Sequence, residues 1–272
     1  MPELPEVETT VRGLATVLQG QRLESVEPRR ADLRRAIPAD LRQRLTGARV
    51  TGLGRRAKYG LIETDRGDTL IFHLGMSGRW RIDPEALGKH DHLVIATENG
   101  HHLALNDPRR FGSLDIVPTA KRDDWPAFSA LGPEPLGPDF TRAYLERVLE
   151  GRIAPIKAML LDQRIVAGLG NIYVCEALNI ARISPTRAAG QISRERLDRL
   201  AAAVRETLTA AIEAGGSTLR DYARPDGELG YFSKQFRVYG REGERCPYDG
   251  GLVKRRVDAG RSTFYCAKCQ QR

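Results

Sequence analysis

The chain of 272 residues is sparing with aromatic residues (6%), with methionine (three) and with cysteine (four), and it holds no long apolar run. Each shortage excludes something. No stretch approaches the roughly 20 apolar residues that cross a bilayer, so no membrane-spanning helix is expected. The first turn is acidic and lacks the apolar stretch of a leader, so no signal peptide is expected either. Three of the four cysteines fall in the last 27 residues, and the fourth, Cys175, stands alone. That arrangement is no disulfide framework; it suits a reducing cytoplasm and a metal site.

Positive charge is plentiful instead. Forty-three Lys and Arg against 35 Asp and Glu leave a net charge of +8. Such an excess points to a polyanion, because Lys and Arg pair with phosphates and release counterions; the plainer alternative is a basic surface kept for solubility. With 41% hydrophobic and 29% charged residues the chain is globular, and its length suits about two domains.

Apolar residues at Leu4, Val7, Val11, Leu14 and Leu18 keep helical spacing and predict an amphipathic helix over 3–18, just behind Pro2. From 48 to about 118 short strand-like runs alternate with Gly, Asp and Asn, the texture of an antiparallel sandwich or barrel. "LGPEPLGPDF" (131–140) reads as a linker. After it "RAYLERVL", "IKAMLLDQ", "NIYVCEALNIA" and "SRERLDRLAAAVRETLTAAIEAG" predict helices. "DYARPDGELGYF" (221–232) is a loop too polar for a core, and loops of that length are often functional. The last 38 residues carry nine Lys and Arg against four Asp and Glu, together with the clustered cysteines.

Chemistry concentrates at a few places. Cys266 and Cys269 form C-x2-C, the spacing that grips a tetrahedral ion with two thiolates, and Cys246-x2-Asp249 precedes them. A carboxylate oxygen can replace the fourth sulfur, so a Cys3Asp site is expected, against the alternative of a ribbon held by packing alone. "NDPRRFG" puts Arg109 and Phe111 two apart, and "HLGMSG" offers Met76 in a Gly-flanked turn. Alone each reads as turn or core; together they suit a protein that pushes apolar wedges and an arginine into an unstacked duplex. "RRAKYG" and "KHDH" add cationic or titratable side chains. "AGLGNIYVCEAL" is a glycine-rich turn feeding a helix, with Asn171 at its start and free backbone N–H groups for a phosphate; it lacks the Rossmann glycine pattern.

The opening "MPELPEVE" holds the least usual chemistry. Once Met1 is clipped, Pro2 presents a secondary amine beside Glu3. A terminal amine ordinarily titrates near 7.7–8.0, so a sizeable uncharged fraction can attack an electrophilic carbon while the neighbouring acid supplies a proton. On DNA the fitting target is the anomeric carbon of a nucleotide. The plain alternative is a proline that merely begins a helix.

Taken together, "MPELPEVETT", "RRAKYG", "HLGMSG", "KHDH", "NDPRRFG", "LGPEPL", "IKAMLLDQ", "VAGLGNIY", "GGSTLRDY", "GYFSKQFRVYGREGE" and "STFYCAKCQ", in order, resemble the bacterial formamidopyrimidine-DNA glycosylase family over essentially the whole chain. The resemblance implies an α+β multidomain fold. Its parts are an N-terminal β-sandwich with an N-terminal helix (1–130), a helix–two-turns–helix domain with a lesion-covering loop (131–234), and a β-hairpin zinc finger (235–272), with DNA in the cleft between the halves. It implies a bifunctional enzyme that excises oxidised purines and cleaves the abasic strand by β,δ-elimination. Pro2 would be the Schiff-base nucleophile, Glu3 the acid, Lys58 the residue serving β-elimination, and Arg261 the one clamping phosphate for δ-elimination. His90, Arg109, Arg152 and Asn171 map to DNA contacts, and Met76, Arg109 and Phe111 would fill the gap left by the everted nucleotide. Lys157 would lie near the lesion. One structural zinc is implied at Cys246, Asp249, Cys266 and Cys269, although the family's finger usually has a fourth cysteine where this chain has Asp249. The expected partner is damaged double-stranded DNA, bound by a cytoplasmic monomer. Two alternatives stand: an endonuclease VIII-like glycosylase for oxidised pyrimidines, and a non-catalytic binder of bent DNA.

Overall fold

A computed structural model describes residues 1–217, 225, 227, 228 and 230–271. The greater part of the expected 221–232 loop therefore lies outside the described residues. The chain forms two compact units, Met1–Ser129 with Ala214–Tyr231, and Ala130–Glu213 with Phe232–Arg272.

The first unit begins with α1 (Leu4–Leu18), whose start is set by a proline in the first turn and a Glu3/Glu6 capping box. Its apolar stripe, Val7, Val11, Leu14 and Leu18, is buried as the 3.6-residue period requires. Then follow β1 (Leu23–Pro28), a short α2 (Leu41–Leu45), β2 (Val50–Arg56), β3 (Tyr59–Thr64), β4 (Asp68–His73), β5 (Arg79–Ile82), β6 (Asp91–Thr97), β7 (His102–Asn106), β8 (Ser113–Pro118) and a single turn, α3 (Pro126–Ser129). The strands build two four-stranded sheets, ordered β1-β6-β7-β5 and β2-β3-β4-β8, and every pairing is antiparallel. Residues of both sheets share one core, with Phe72 of β4 meeting Trp80 of β5 edge-on at 5.6 Å. This is the sandwich anticipated above. Fully burying a Leu or Phe here stabilises the fold by about 1.5–3 kcal/mol per side chain. Gly60 of β3 is obligatory, since a Cβ there would lie 2.0 Å from the Phe72 ring.

The second unit holds α4 (Arg142–Leu149), α5 (Ile156–Leu161), α6 (Asn171–Ile180) and α7 (Arg194–Glu213), then a hairpin of β9 (Val253–Asp258) and β10 (Arg261–Cys266). Thr141 caps α4 by accepting the Tyr144 N–H at 3.1 Å. Helix α6 is buried on all sides from Ile172 to Asn179. Its one carboxylate, Glu176, stays inside by accepting the N–H groups of Arg237 (2.8 Å), Val238 (3.1 Å) and Tyr239 (2.8 Å). Burial raises the Glu176 pKa and these donors oppose the rise. Among the described residues, no helix is long and apolar enough to cross a membrane.

Candidate nucleic-acid interface and metal centre

The N-terminus opens onto a cavity. Met1 is 53% exposed and, with Arg34, His73, Met76, Arg109 and Phe111, lines a space of about 640 Å³. Pro2 and Glu3, directly behind it, are buried. Glu6 fixes them in place. One of its oxygens accepts the Glu3 N–H at 2.8 Å; the other accepts the Ser217 N–H at 2.8 Å and the Ser217 hydroxyl at 2.9 Å. The spacing Glu3-x-x-Glu6 is a capping-box signal that sequence reading did not use, whereas Ser217 carries none.

Two loops shape the cavity wall. Asp107, 1% exposed, accepts the Ser77 hydroxyl at 2.7 Å and the Gly112 N–H at 2.8 Å, while the Arg109 N–H donates to Ser77 Oγ at 3.3 Å. The 74–78 and 106–112 segments are thereby stitched together. Gly75 sits at φ +62°, and a Cβ there would come within 2.3 Å of the Phe111 carbonyl carbon. The interlock leaves Met76 (39%) and Phe111 (42%) standing out from the wall, with the Arg109 guanidinium 4.8 Å above the Phe111 ring. Exposed apolar side chains held by a rigid polar frame suit wedges rather than core. His90, half-buried, ties in through its carbonyl, which accepts the Asp107 N–H at 2.9 Å, and its ring lies 6.3 Å from that of His92.

Lys58 belongs to the tight turn joining β2 to β3, where Ala57 is held at φ +52°. Arg55 braces that turn, donating to the Ala57 carbonyl at 2.9 Å and to Glu8 at 3.1 Å. Lys58 is buried and its charge reaches His73. Burial first, then the charges of Lys58, Arg34 and Arg35, lower the His73 pKa to about 4. The His73 Nδ1 accepts the Gly75 N–H at 3.0 Å, so the neutral ring keeps its proton on Nε2. His73 stands in "HLGMSG", yet nothing in the sequence separates it from an ordinary surface histidine.

In the second unit, Arg261 is exposed at the start of β10, just past a turn in which Ala259 (φ +47°) and Gly260 (φ +74°) are both left-handed. The neighbouring Ser262 carbonyl accepts from Asn171 Nδ2 at 2.8 Å and from Lys157 Nζ at 3.2 Å. Lys157, only 3% exposed, also donates to Thr263 Oγ1 at 2.7 Å, and that hydroxyl donates to Asp258 at 2.6 Å. Burial lowers the Lys157 pKa. Lys157 and Arg261 share the lining of a second cavity of about 480 Å³. Asn171 opens α6, and Arg152 is exposed on the α4–α5 connection.

The four expected ligands converge. One ligand atom each from Cys246, Asp249, Cys266 and Cys269 all lie within 4.8 Å of one another. Cys246 Sγ is 3.9 Å from Cys269 Sγ, and Cys266 Sγ is 3.4 Å from Asp249 Oδ1. A tetrahedral ion with M–S of about 2.3 Å and M–O of about 2.0–2.2 Å demands edges of about 3.8 and 3.6 Å. The residues present therefore fit a dication. The Gly251 N–H donates to Asp249 Oδ1 at 2.9 Å and lowers the carboxyl pKa, which keeps it ionised. Burial, and then the neighbouring cysteines, raise the Cys269 thiol, a penalty that a cation among them removes.

The fold recurs in known proteins. Residues 1–114 match the family model described as formamidopyrimidine-DNA glycosylase N-terminal domain, and residues 131–223 the one described as formamidopyrimidine-DNA glycosylase H2TH domain. The chain is 71% identical to the formamidopyrimidine-DNA glycosylase of Rhizorhabdus wittichii and 66% identical to that of Novosphingobium aromaticivorans, in each case over 100% of both chains. Among solved structures, a Lactococcus lactis Fpg variant bound to DNA containing Fapy-dG superimposes with a TM-score of 0.92 at 35% identity, over 100% of both chains. The Thermus thermophilus MutM (Fpg) protein gives 0.88 at 43% identity, over 99% of this chain and 98% of that one. The chain belongs to the formamidopyrimidine-DNA glycosylase family.

Proposed function

We propose that this protein excises oxidised purines from double-stranded DNA, as a monomer, and then cleaves the abasic strand by successive β- and δ-elimination. The observation that carries the reading is the buried Pro2–Glu3 pair directly behind an exposed Met1 that lines the His73/Met76/Arg109/Phe111 cavity. Relatives support it: the Lactococcus lactis protein has been solved with Fapy-dG DNA and with abasic-site DNA.

Removal of Met1 exposes the Pro2 nitrogen, which attacks C1′ of the damaged nucleotide as the C1′–base bond breaks. Glu3 protonates the departing base, takes up the proton shed by the proline nitrogen, and passes it to the sugar-ring oxygen, so that the C1′–O4′ bond opens to the iminium. The resulting iminium acidifies C2′; loss of that proton expels the 3′ phosphate, and Lys58 serves this step. Arg261 clamps phosphate for the second elimination. Eversion of the nucleotide costs a few kcal/mol, offset by Met76, Arg109 and Phe111 entering the gap. His90, Arg152 and Asn171 hold the backbone. Lys157 serves DNA through the hairpin, since its ammonium holds the strand next to Arg261. The chain divides by role into 1–130 for chemistry, 131–234 for DNA binding and 235–272 for the finger. We read the ion held by Cys246, Asp249, Cys266 and Cys269 as zinc, which supplies a cross-link to a hairpin with little core of its own.

A second reading has one observation in its favour: the Lactococcus lactis protein has also been solved with DNA containing an oxidised pyrimidine. One experiment separates the readings. Mature protein, its free N-terminal proline verified by mass spectrometry, is treated with borohydride on duplexes containing 8-oxoguanine opposite cytosine or thymine glycol opposite adenine. Covalent trapping, strongest on the 8-oxoguanine strand, is expected. Stronger trapping on thymine glycol moves the protein to the pyrimidine-directed class. No trapping on either removes the Schiff-base mechanism.

A further inference from the structure

Helix α6 contributes a side chain to the four-ligand cluster that the Cys/Asp pattern does not include. Asn179, 2% exposed, is the last buried residue of that helix, and with Glu176 the second of its buried polar side chains. Its Nδ2 lies 3.8 Å from Cys246 Sγ, 3.7 Å from Cys269 Sγ and 3.0 Å from Gln270 Oε1. Its Oδ1 accepts from Arg237 Nε at 3.4 Å.

The orientation of this amide follows from its neighbours. Gln270, also 2% exposed, must present Oε1 to the Cys266 N–H (2.8 Å) and Nε2 to the Ile183 carbonyl (2.9 Å). Oε1 is an acceptor, so the Asn179 atom facing it is the donor. A flipped Asn179 would set its oxygen against Gln270 Oε1 and two sulfurs, and its NH2 against the Arg237 N–H. Two amides thus lock each other: one Asn179 N–H goes to Gln270, and the second points between a pair of cysteine sulfurs.

Three thiolates and a carboxylate bring four negative charges to a dication. The excess falls on the sulfurs, and N–H donors directed at them take it up without adding charge. We propose that Asn179, braced by Gln270, is a positioning residue of the metal centre, sharing one N–H between the sulfurs of Cys246 and Cys269 and setting how tightly the finger holds its ion from within the helical part of the chain. This rests on the metal reading above.

The test uses the full-length protein. Asn179→Leu keeps the volume and removes the donors. Zinc transfer to a colorimetric chelator should become about tenfold to a hundredfold faster than in wild type, the usual range for loss of a ligand's hydrogen-bond partner. In the cobalt-substituted protein the thiolate-to-metal absorption should move to lower energy, because sulfurs without donors are more electron-rich. Gln270→Met, which removes the brace alone, should shift both readouts in the same direction by less. Unchanged release overturns the assignment, and so does faster release with an unmoved cobalt band, which packing alone would produce. Should Asn179→Leu fail to fold, wild type loaded with cadmium-113 decides: a spin coupling between the Asn179 side-chain amide proton and the metal is required, and its absence refutes the hydrogen bond. Wild type that holds no metal sinks the metal reading and this inference together; wild type that holds zinc with an indifferent Asn179→Leu sinks only this inference.

Discussion

The β-sandwich and the C-terminal hairpin carry cationic side chains on similar turns but are held together by different physics. The sandwich draws on a core spanning α1 and both sheets, from Val7 to Ile116. The apolar cluster around the hairpin is only Cys175 (from α6), Val238, Cys246, Val253, Phe264 and Cys266, half of it cysteine. Where apolar burial is ample, the chain's N-terminal segment can be held by hydrogen bonds such as those between Glu6 and Ser217. Where it is scarce, order has to come from coordination and from buried amides such as Asn179. Both regions place a residue with a proposed role beside a left-handed turn, Lys58 after Ala57 and Arg261 after Ala259 and Gly260. Strained turns of this kind persist only when their flanks over-determine them.

Metal removal should break the comparison most widely. A structural zinc contributes on the order of 10 kcal/mol in isolated fingers. Treatment with a chelator should abolish amide exchange protection across β9 and β10 and leave β1 to β8 unchanged. A hairpin that keeps its protection would show that packing suffices, as in the ribbon alternative. Asp249→Cys should slow zinc loss and leave base excision intact.

Next in size is a pH effect confined to the sandwich. His73 titrates near 4 in the folded protein and at about 6.5 when unfolded. Between those values the unfolded chain binds a proton that the native state does not, so stability is full above about pH 6.5 and falls as pH drops towards 4. The loss reaches about 3 kcal/mol at most. Denaturant midpoints from pH 7.5 to 4.5 should fall in wild type and flatten in His73→Gln. Parallel slopes would assign the effect to other groups.

The smallest expected effect concerns Lys58. Lys58→Ala should reduce the slope of log K against log salt for abasic DNA by about 0.9, the loss of one phosphate neutralised. An unchanged slope would confine Lys58 to the chemical step.

Much was legible before any coordinates. The period of Leu4, Val7, Val11, Leu14 and Leu18 announced α1, and the alternating runs of 48–118 announced the sandwich, because both signals are local. The C-x2-C pair and Cys246-x2-Asp249 named, for the same reason, the four residues that converge into a cluster able to hold a metal. Other features were not legible. Glu6 meets Ser217 across 211 positions, and Asn179 meets Cys246 across 67. No periodicity encodes such partners. His73 was visible as a letter, but its depressed pKa depends on burial and on three cations brought around it by folding.

By itself, then, the order of residues determined α1, the strands of 48–118 and the four residues of the Cys/Asp cluster, since each depends on spacing within a few residues. The tertiary structure alone decided that Met1 opens onto a cavity with Met76 and Phe111, that the Lys157 ammonium is occupied by the hairpin, and that Asn179 faces sulfur. Those facts depend on distances between residues remote in the chain, which packing sets and sequence spacing does not.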